Sequence, residues 1–310
     1  MSHSTLRIRR FVFAGAIALA VAALVWWAVP MLITWPSHTR VSTGPADLPI
    51  ENVSFSSEPG ITLRGWYIPG RRGGGVVLLL HGVRASRLME IGRARFLHQA
   101  GYTVLAFDFR AHGESGGDRI TFGYRESRDV AAALVYLKKR APRERIGVIG
   151  TSMGGAAFLL ASPPLQVDAV VLEQVYPSID LALDHRMTRY LGPLGHALSP
   201  VLLRWMAVNI GLRADQLRPI SHIAQVDAPL LLIGGESDRY TPLSESLAMY
   251  AAARQPKELW LVPGADHVDL QRFTSDEYRR RILAFFGRTL RNAKSEPIPV
   301  PAAHNGIGHS

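Results

Sequence analysis

The sequence predicts an α/β fold: a mostly parallel sheet with helices on both faces, a short helical cap, and a separate apolar helix at the N-terminus. Three observations carry this. Short β-branched runs alternate with amphipathic segments from Val76 to Leu290. The stretch IGVIGTSMGG, residues 146–155, passes from strand to small-residue helix with only Gly150, Thr151 and Ser152 between. Finally, no Asp, Glu, Lys or Arg occurs from Phe11 to Ser37.

Taken in chain order, the uncharged run exceeds the roughly 20 residues that a bilayer span needs. Arg7, Arg9 and Arg10 precede it and only Arg40 follows closely, so the positive-inside bias puts residues 1–10 in the cytoplasm. The expectation is a transmembrane helix or uncleaved signal anchor over 11–35, with Trp26, Trp27 and Trp35 at the outer interface. The globular domain would then lie outside the cytoplasm, periplasmic or extracellular. A cleaved signal peptide is the rival, but AVPMLITWP offers no clean small-x-small site. Residues 36–49, rich in turn formers, read as a linker.

The domain spans 50–290. ENVSFSS and ITLRGWYIPG flank Glu58, Pro59 and Gly60 as a β-hairpin. VVLLLHG is a strand, ARFLHQAG a helix ending at glycine, TVLAFDF a strand and SRDVAAALVYLKKR an amphipathic helix. RIGVIG, the helix after Ser152 and VDAVVLEQV continue the alternation. Helical sequence punctuated by Gly192, Pro193 and Pro200 interrupts it, a cap at about 178–226. APLLLIGGESD, LSESLAMYAAA, KELWLVPGADH and EYRRRILAFFGRTL then complete the pattern. From 291 to 310 there is no apolar periodicity, which predicts a disordered tail.

Composition narrows the chemistry. The chain has 310 residues, 47% hydrophobic and 19% charged, enough for a sizeable core. With no cysteine, disulfides and thiolate metal sites are unavailable, and no His or carboxylate pair has metal-ligand spacing. The net charge of +10 is scattered in short clusters without interleaved aromatics, so nucleic acid is not an expected partner and a solvated face is.

A serine at such a sharp turn is forced outward above the sheet edge, and Gly150 and Gly154 allow the backbone to close on itself. Its hydroxyl attacks only if a base removes the proton. Of eleven histidines, His267 follows the last strand, on a loop that opens at the same carboxyl edge as Ser152. His81 and His112 share that edge but read as loop-shaping; His185, His196 and His222 fall in or beside the cap. Asp238, ending the preceding strand, is the expected acid, with Glu236 as its nearest rival and a helix-capping role as its alternative. Asp266 and Asp269 are too local to reach the far nitrogen. An oxyanion would be met by the amides of Met153 and Val83.

The motifs HG at 81–82, DFRAHGES at 108–115, GTSMGG at 150–155, GGESDRYTP at 234–242 and GADH at 264–267 resemble the α/β-hydrolase superfamily, in its lipase-like or serine-aminopeptidase-like branch. Ala111 departs from it, since the family usually has glycine there. The resemblance implies a serine hydrolase using Ser152, Asp238 and His267 without a cofactor. It would cleave carboxylic esters or thioesters of a small acyl compound, lipid-derived given the bilayer nearby; a peptidase acting on amide bonds and a non-catalytic binding protein are the alternatives. Met187, Tyr190, Leu194, Leu203, Trp205 and Met206 of the cap either line an acyl pocket or bury the cap.

Overall fold

Apolar β-branched runs become the strands of one twisted sheet. The computed structural model describes residues 12–17, 20, 23–24, 27–28, 31–41 and 43–291. A two-residue strand, β1 (Ser37–His38), precedes the hairpin β2 (Glu51–Glu58) and β3 (Ile61–Ile68), followed by β4 (Val76–Leu80), β5 (Thr103–Phe107) and the short β6 (His112–Gly113). Then come β7 (Ile146–Thr151), β8 (Ala169–Glu173), β9 (Leu230–Gly235) and β10 (Lys257–Val262). Eight of them form the main sheet in the order β10-β9-β8-β7-β4-β5-β3-β2, while β1 and β6 pair separately. The six strands from β10 to β5 run parallel; β3 is antiparallel to both β5 and β2. Strands β4, β5, β7, β8 and β9 are buried almost throughout, as continuous apolar runs covered on both faces must be.

Helices α1 (Ile91–Gln99), α2 (Glu126–Arg140), α3 (Met153–Leu159), α4 (Ile179–Leu191), α5 (Pro193–Ile210), α6 (Leu243–Ala252), α7 (Leu270–Phe273) and α8 (Ser275–Thr289) supply the outer layers and the cap. Two cores result. One joins Leu78, Leu80, Val148 and Leu172 to α2, α3 and the cap; the other joins Val77, Leu79, Ile149 and Val171 to α1 and α8. Successive strand residues feed opposite cores because their side chains alternate. Cap helices α4 and α5 leave β8 and return through short 3-10 turns to β9. The sheet reverses its winding at β4, between β5 and β7, and a crevice opens there at the carboxyl edge.

The expected membrane span is corrected. Among the described residues no helix is long and apolar enough to cross a membrane. The anchor at 11–35 and the extracytoplasmic domain drawn from it are therefore not upheld; residues 1–10 and part of the run, Trp26 included, lie outside the described residues. The physical reason is visible at the end of the run: Thr34 is buried in the globular domain, and its carbonyl accepts from the Ile120 amide at 2.9 Å. Only this end of the run is taken into the fold; Val12, Phe13, Ile17, Leu24, Trp27 and Leu32 before it are exposed. Residues 37–41 of the segment read as a linker add β1 to β6, and Val41 and Leu48 are buried. The tail from 292 lies outside the described residues.

Candidate active site

Ser152 occupies the joint between β7 and α3 with φ 51° and ψ −114°, a conformation that costs an L-residue about 1–3 kcal/mol and persists only where neighbours enforce it. They do. A Cβ on Gly150 would come 2.6 Å from the Gly155 Cα, and one on Gly154 2.2 Å from the Leu80 carbonyl oxygen, so only glycine permits the close turn. The Ser152 amide donates to the Glu173 carbonyl at 2.8 Å. The Glu173 carboxylate accepts from Thr151 Oγ1 at 3.1 Å, from Arg93 Nη2 at 2.6 Å and from the Tyr278 hydroxyl. A buried charged cluster thus underlies the elbow. Arg93 also faces Asp269 at 3.2 Å and Glu90 at 3.6 Å.

On the loop after β10, His267 donates from Nδ1 to Asp238 Oδ2 at 2.8 Å, which leaves Nε2 as the acceptor nitrogen. Asp238 also accepts from Thr241 Oγ1 at 2.6 Å and Gln174 Nε2 at 2.9 Å, while its other oxygen takes the Tyr240 and Thr241 amides at 2.8 and 2.9 Å. The carboxylate holds both the imidazole and the turn before α6. Burial pushes the Asp238 carboxyl up, but the His267 hydrogen bond and charge and the Thr241 donors outweigh it and hold the group below the ordinary carboxylate range. Its rival Glu236 is exposed. Asp266 accepts the His267 and Arg239 amides and so shapes the loop.

On the opposite flank, His81 and His112 arrange the loop after β4. His81 Nδ1 donates to the Gly82 carbonyl at 2.7 Å and its Nε2 accepts from the Phe109 amide at 3.1 Å. His112 Nδ1 donates to the Arg110 carbonyl at 2.8 Å while Nε2 accepts from the Arg84 amide at 3.1 Å. Burial lowers the two imidazoles to about 3 and about 4, so both stay neutral. Arg84 is left-handed, with φ 57°, and among the described residues the Val83 amide before it meets no acceptor. The Met153 amide, first in α3, lacks an intrahelical partner by position. Ala111, where the resemblance suggests glycine, adopts φ 57° fully buried, which explains that preference.

Ser152, Met153, Val83 and His267 share the lining of a cavity of about 250 Å³ beneath the cap. Met187, Tyr190 and Met206 line it as well; Leu194, Leu203 and Trp205 do not. Tyr240 meets the His267 ring edge-on at 5.6 Å, and Arg186 lies 4.7 Å over the Tyr240 ring. Sequence reading missed Gln174, the cluster of Arg93, Glu173 and Tyr278, and Ile33, which reaches the same cavity. A signal existed for some: Glu173 and Gln174 end an apolar strand at the functional edge, and Arg93 occurs on the buried face of α1. Ile33 had none, being one apolar residue in an apolar run. Among the described residues, no group of three or more His, Asp or Glu side chains is placed to hold a metal ion.

Comparison with known proteins adds to this geometry. The protein Rv2307c of Mycobacterium tuberculosis is 31% identical over 258 residues, 82% of this chain and 85% of its own length. YqkD of Bacillus subtilis is 25% identical over 230 residues, 73% of this chain and 75% of its own. Among solved structures, the esterase Pf2001 of Pyrococcus furiosus superposes with a TM-score of 0.67 at 26% identity, covering 83% of this chain and 98% of that one. The family described as Alpha/beta hydrolase matches residues 77–280, the stretch that carries the parallel strands of the sheet, the elbow and the His267 loop, and the chain belongs to this family.

Proposed function

We propose that this chain is a serine esterase acting on carboxylic esters or thioesters. The supporting observation is the Nδ1 contact of His267 with Asp238 at 2.8 Å, at the wall of a predominantly apolar cavity that Ser152 also lines. Oγ of Ser152 attacks the substrate carbonyl carbon as His267 Nε2 takes its proton. The Val83 and Met153 amides meet the developing oxyanion, and the C–O or C–S bond breaks as the imidazolium returns the proton to the leaving group. Water, deprotonated by the same nitrogen, then attacks the acyl-serine and releases the acid. Asp238 keeps the ring in the Nδ1–H tautomer and stabilises the imidazolium. Likeness to the Pyrococcus esterase supports the ester class. Cleavage of aminoacyl amides is less well supported, because no carboxylate lines the 250 Å³ cavity to receive a substrate ammonium group.

A fluorophosphonate probe and a p-nitrophenyl butyrate assay, run beside an aminoacyl p-nitroanilide, test this. The wild type should be labelled and should cleave the ester, and Ser152→Ala should lose labelling and fall by ~10⁴-fold or more in kcat. Equal labelling of the two proteins, or turnover of the anilide alone, overturns the reading.

A further inference from the structure

The end of the N-terminal apolar run is sewn to the loops that frame the site. Arg84, next to Val83, donates from its guanidinium to the carbonyls of Leu32 and Ile33, at 3.2 Å for the latter. These carbonyls end the helical stretch 31–34, where backbone acceptors lack helical partners and a cation is favoured. Onward, the Ser37 amide donates to the Ala111 carbonyl at 2.7 Å and the Thr39 amide to that of Gly113 at 3.0 Å. His38 Nε2 lies 3.0 Å from the Gly117 carbonyl oxygen. The Val41 amide reaches Glu114 at 3.3 Å, and the same carboxylate pairs with Arg87 at 2.5 Å.

The result is a strap, residues 31–41, bonded along the loops that carry Arg84, Ala111 and Gly113. One of its side chains, the half-buried Ile33, enters the lining of the 250 Å³ cavity together with Val83, Phe122 and Ser152. The rest of the lining comes from the cap and from the loops at the sheet edge.

We propose that the strap is a wall of the acyl site and that Ile33 sets the length of acyl chain the cavity accepts. This inference rests on the esterase reading. The closest physical rule is that methylenes added to or removed from an apolar pocket change discrimination by about 10–200-fold. A larger side chain at Ile33 shortens the chamber; a smaller one lengthens it.

The test uses the full chain and its Ile33→Trp and Ile33→Ala variants, each checked for an unchanged melting temperature. Two quantities are read: kcat/KM on p-nitrophenyl esters from acetate to decanoate, and the Kd for octanoate by calorimetry, which needs no turnover. Ile33→Trp should lose roughly tenfold more on the octanoate ester than on the acetate ester and weaken octanoate by about tenfold, while Ile33→Ala shifts preference toward decanoate. Length profiles parallel to wild type, with an unaltered octanoate Kd, overturn the proposal. A wild type that cleaves no ester while Ile33→Trp still weakens octanoate sinks the esterase reading and supports the wall. A wild type that neither cleaves nor binds sinks both.

Discussion

The two flanks of Ser152 place the same residue type in opposite surroundings. On the Val83 side, His81 and His112 are buried and neutral, each giving one proton to a carbonyl and taking one from an amide. On the other side, His267 is partly exposed and faces the carboxylate of Asp238. Burial without a counter-ion turns an imidazole into a fixed neutral strut; a carboxylate at Nδ1 prepares one to carry charge. Three histidines within one sheet edge are thus set apart by what touches them, not by position. The struts carry a pH consequence. Their folded values lie below the unfolded value near 6.5, so their contribution to stability is present above that pH and is lost as pH falls toward about 4 and about 3.

Removing the counter-ion should erase the distinction, and this is the largest effect expected. Asp238→Asn presents an amide where the imidazole needs an acceptor and should lower kcat by ~10³–10⁴-fold with the fold intact; a loss under tenfold would mean that the carboxylate serves the turn before α6 and not the imidazole. Next comes the strut. His112→Ala leaves the Arg84 amide without its acceptor and frees the left-handed residue behind Val83. We expect kcat to fall by about 10–100-fold with KM little changed, below the 10² to 10³ that loss of an oxyanion donor can cost. His112→Gln, whose amide oxygen can accept, should restore part of the activity. A rise in KM with kcat unchanged would place His112 in substrate binding instead.

The smallest effect concerns stability and sharpens the role of the buried cluster under the elbow. Burial raises the Glu90 carboxyl, Arg93 opposes this, and Glu173 and Asp269 reinforce it, leaving the group at about 7. Its ordinary value is near 4.5, so the folded chain takes up a proton that the unfolded chain does not. The Glu90 contribution to stability is therefore fully present below pH 4.5 and is lost as pH rises through about 7. Glu90→Gln removes that decline. It should gain roughly 2 kcal/mol over wild type at pH 8 relative to pH 5, seen as a pH-dependent rise in melting temperature. A gain equal at both pH values would show that Glu90 is not the titrating group.

Much of this was legible because local chemistry wrote it down. The alternation from Val76 onward, the glycines at 150 and 154 and the placing of Asp238 and His267 after successive strands each follow from short-range rules: strand period, steric access at a tight turn, and the shared edge of parallel strands. Other features are long-range and left no local mark. Gln174 reaches Asp238 across 64 residues, Arg93 reaches Glu173 across 80, and Arg84 reaches the Ile33 carbonyl across 51. The N-terminal run shows the difference most clearly: its hydropathy was plain in the sequence, but its length was read as a bilayer span where the described residues contain none.

By itself, then, the amino-acid sequence determined the winding of the sheet, the strand-to-helix turn at Ser152 and which loops share its edge, because period-2 and helical patterning and glycine sterics act between near neighbours. Tertiary structure alone decided which histidines are held neutral, which carboxylates are buried and which apolar residues wall the cavity. Burial and partnering are properties of side chains brought together from distant parts of the chain, and no residue carries them until the chain has folded.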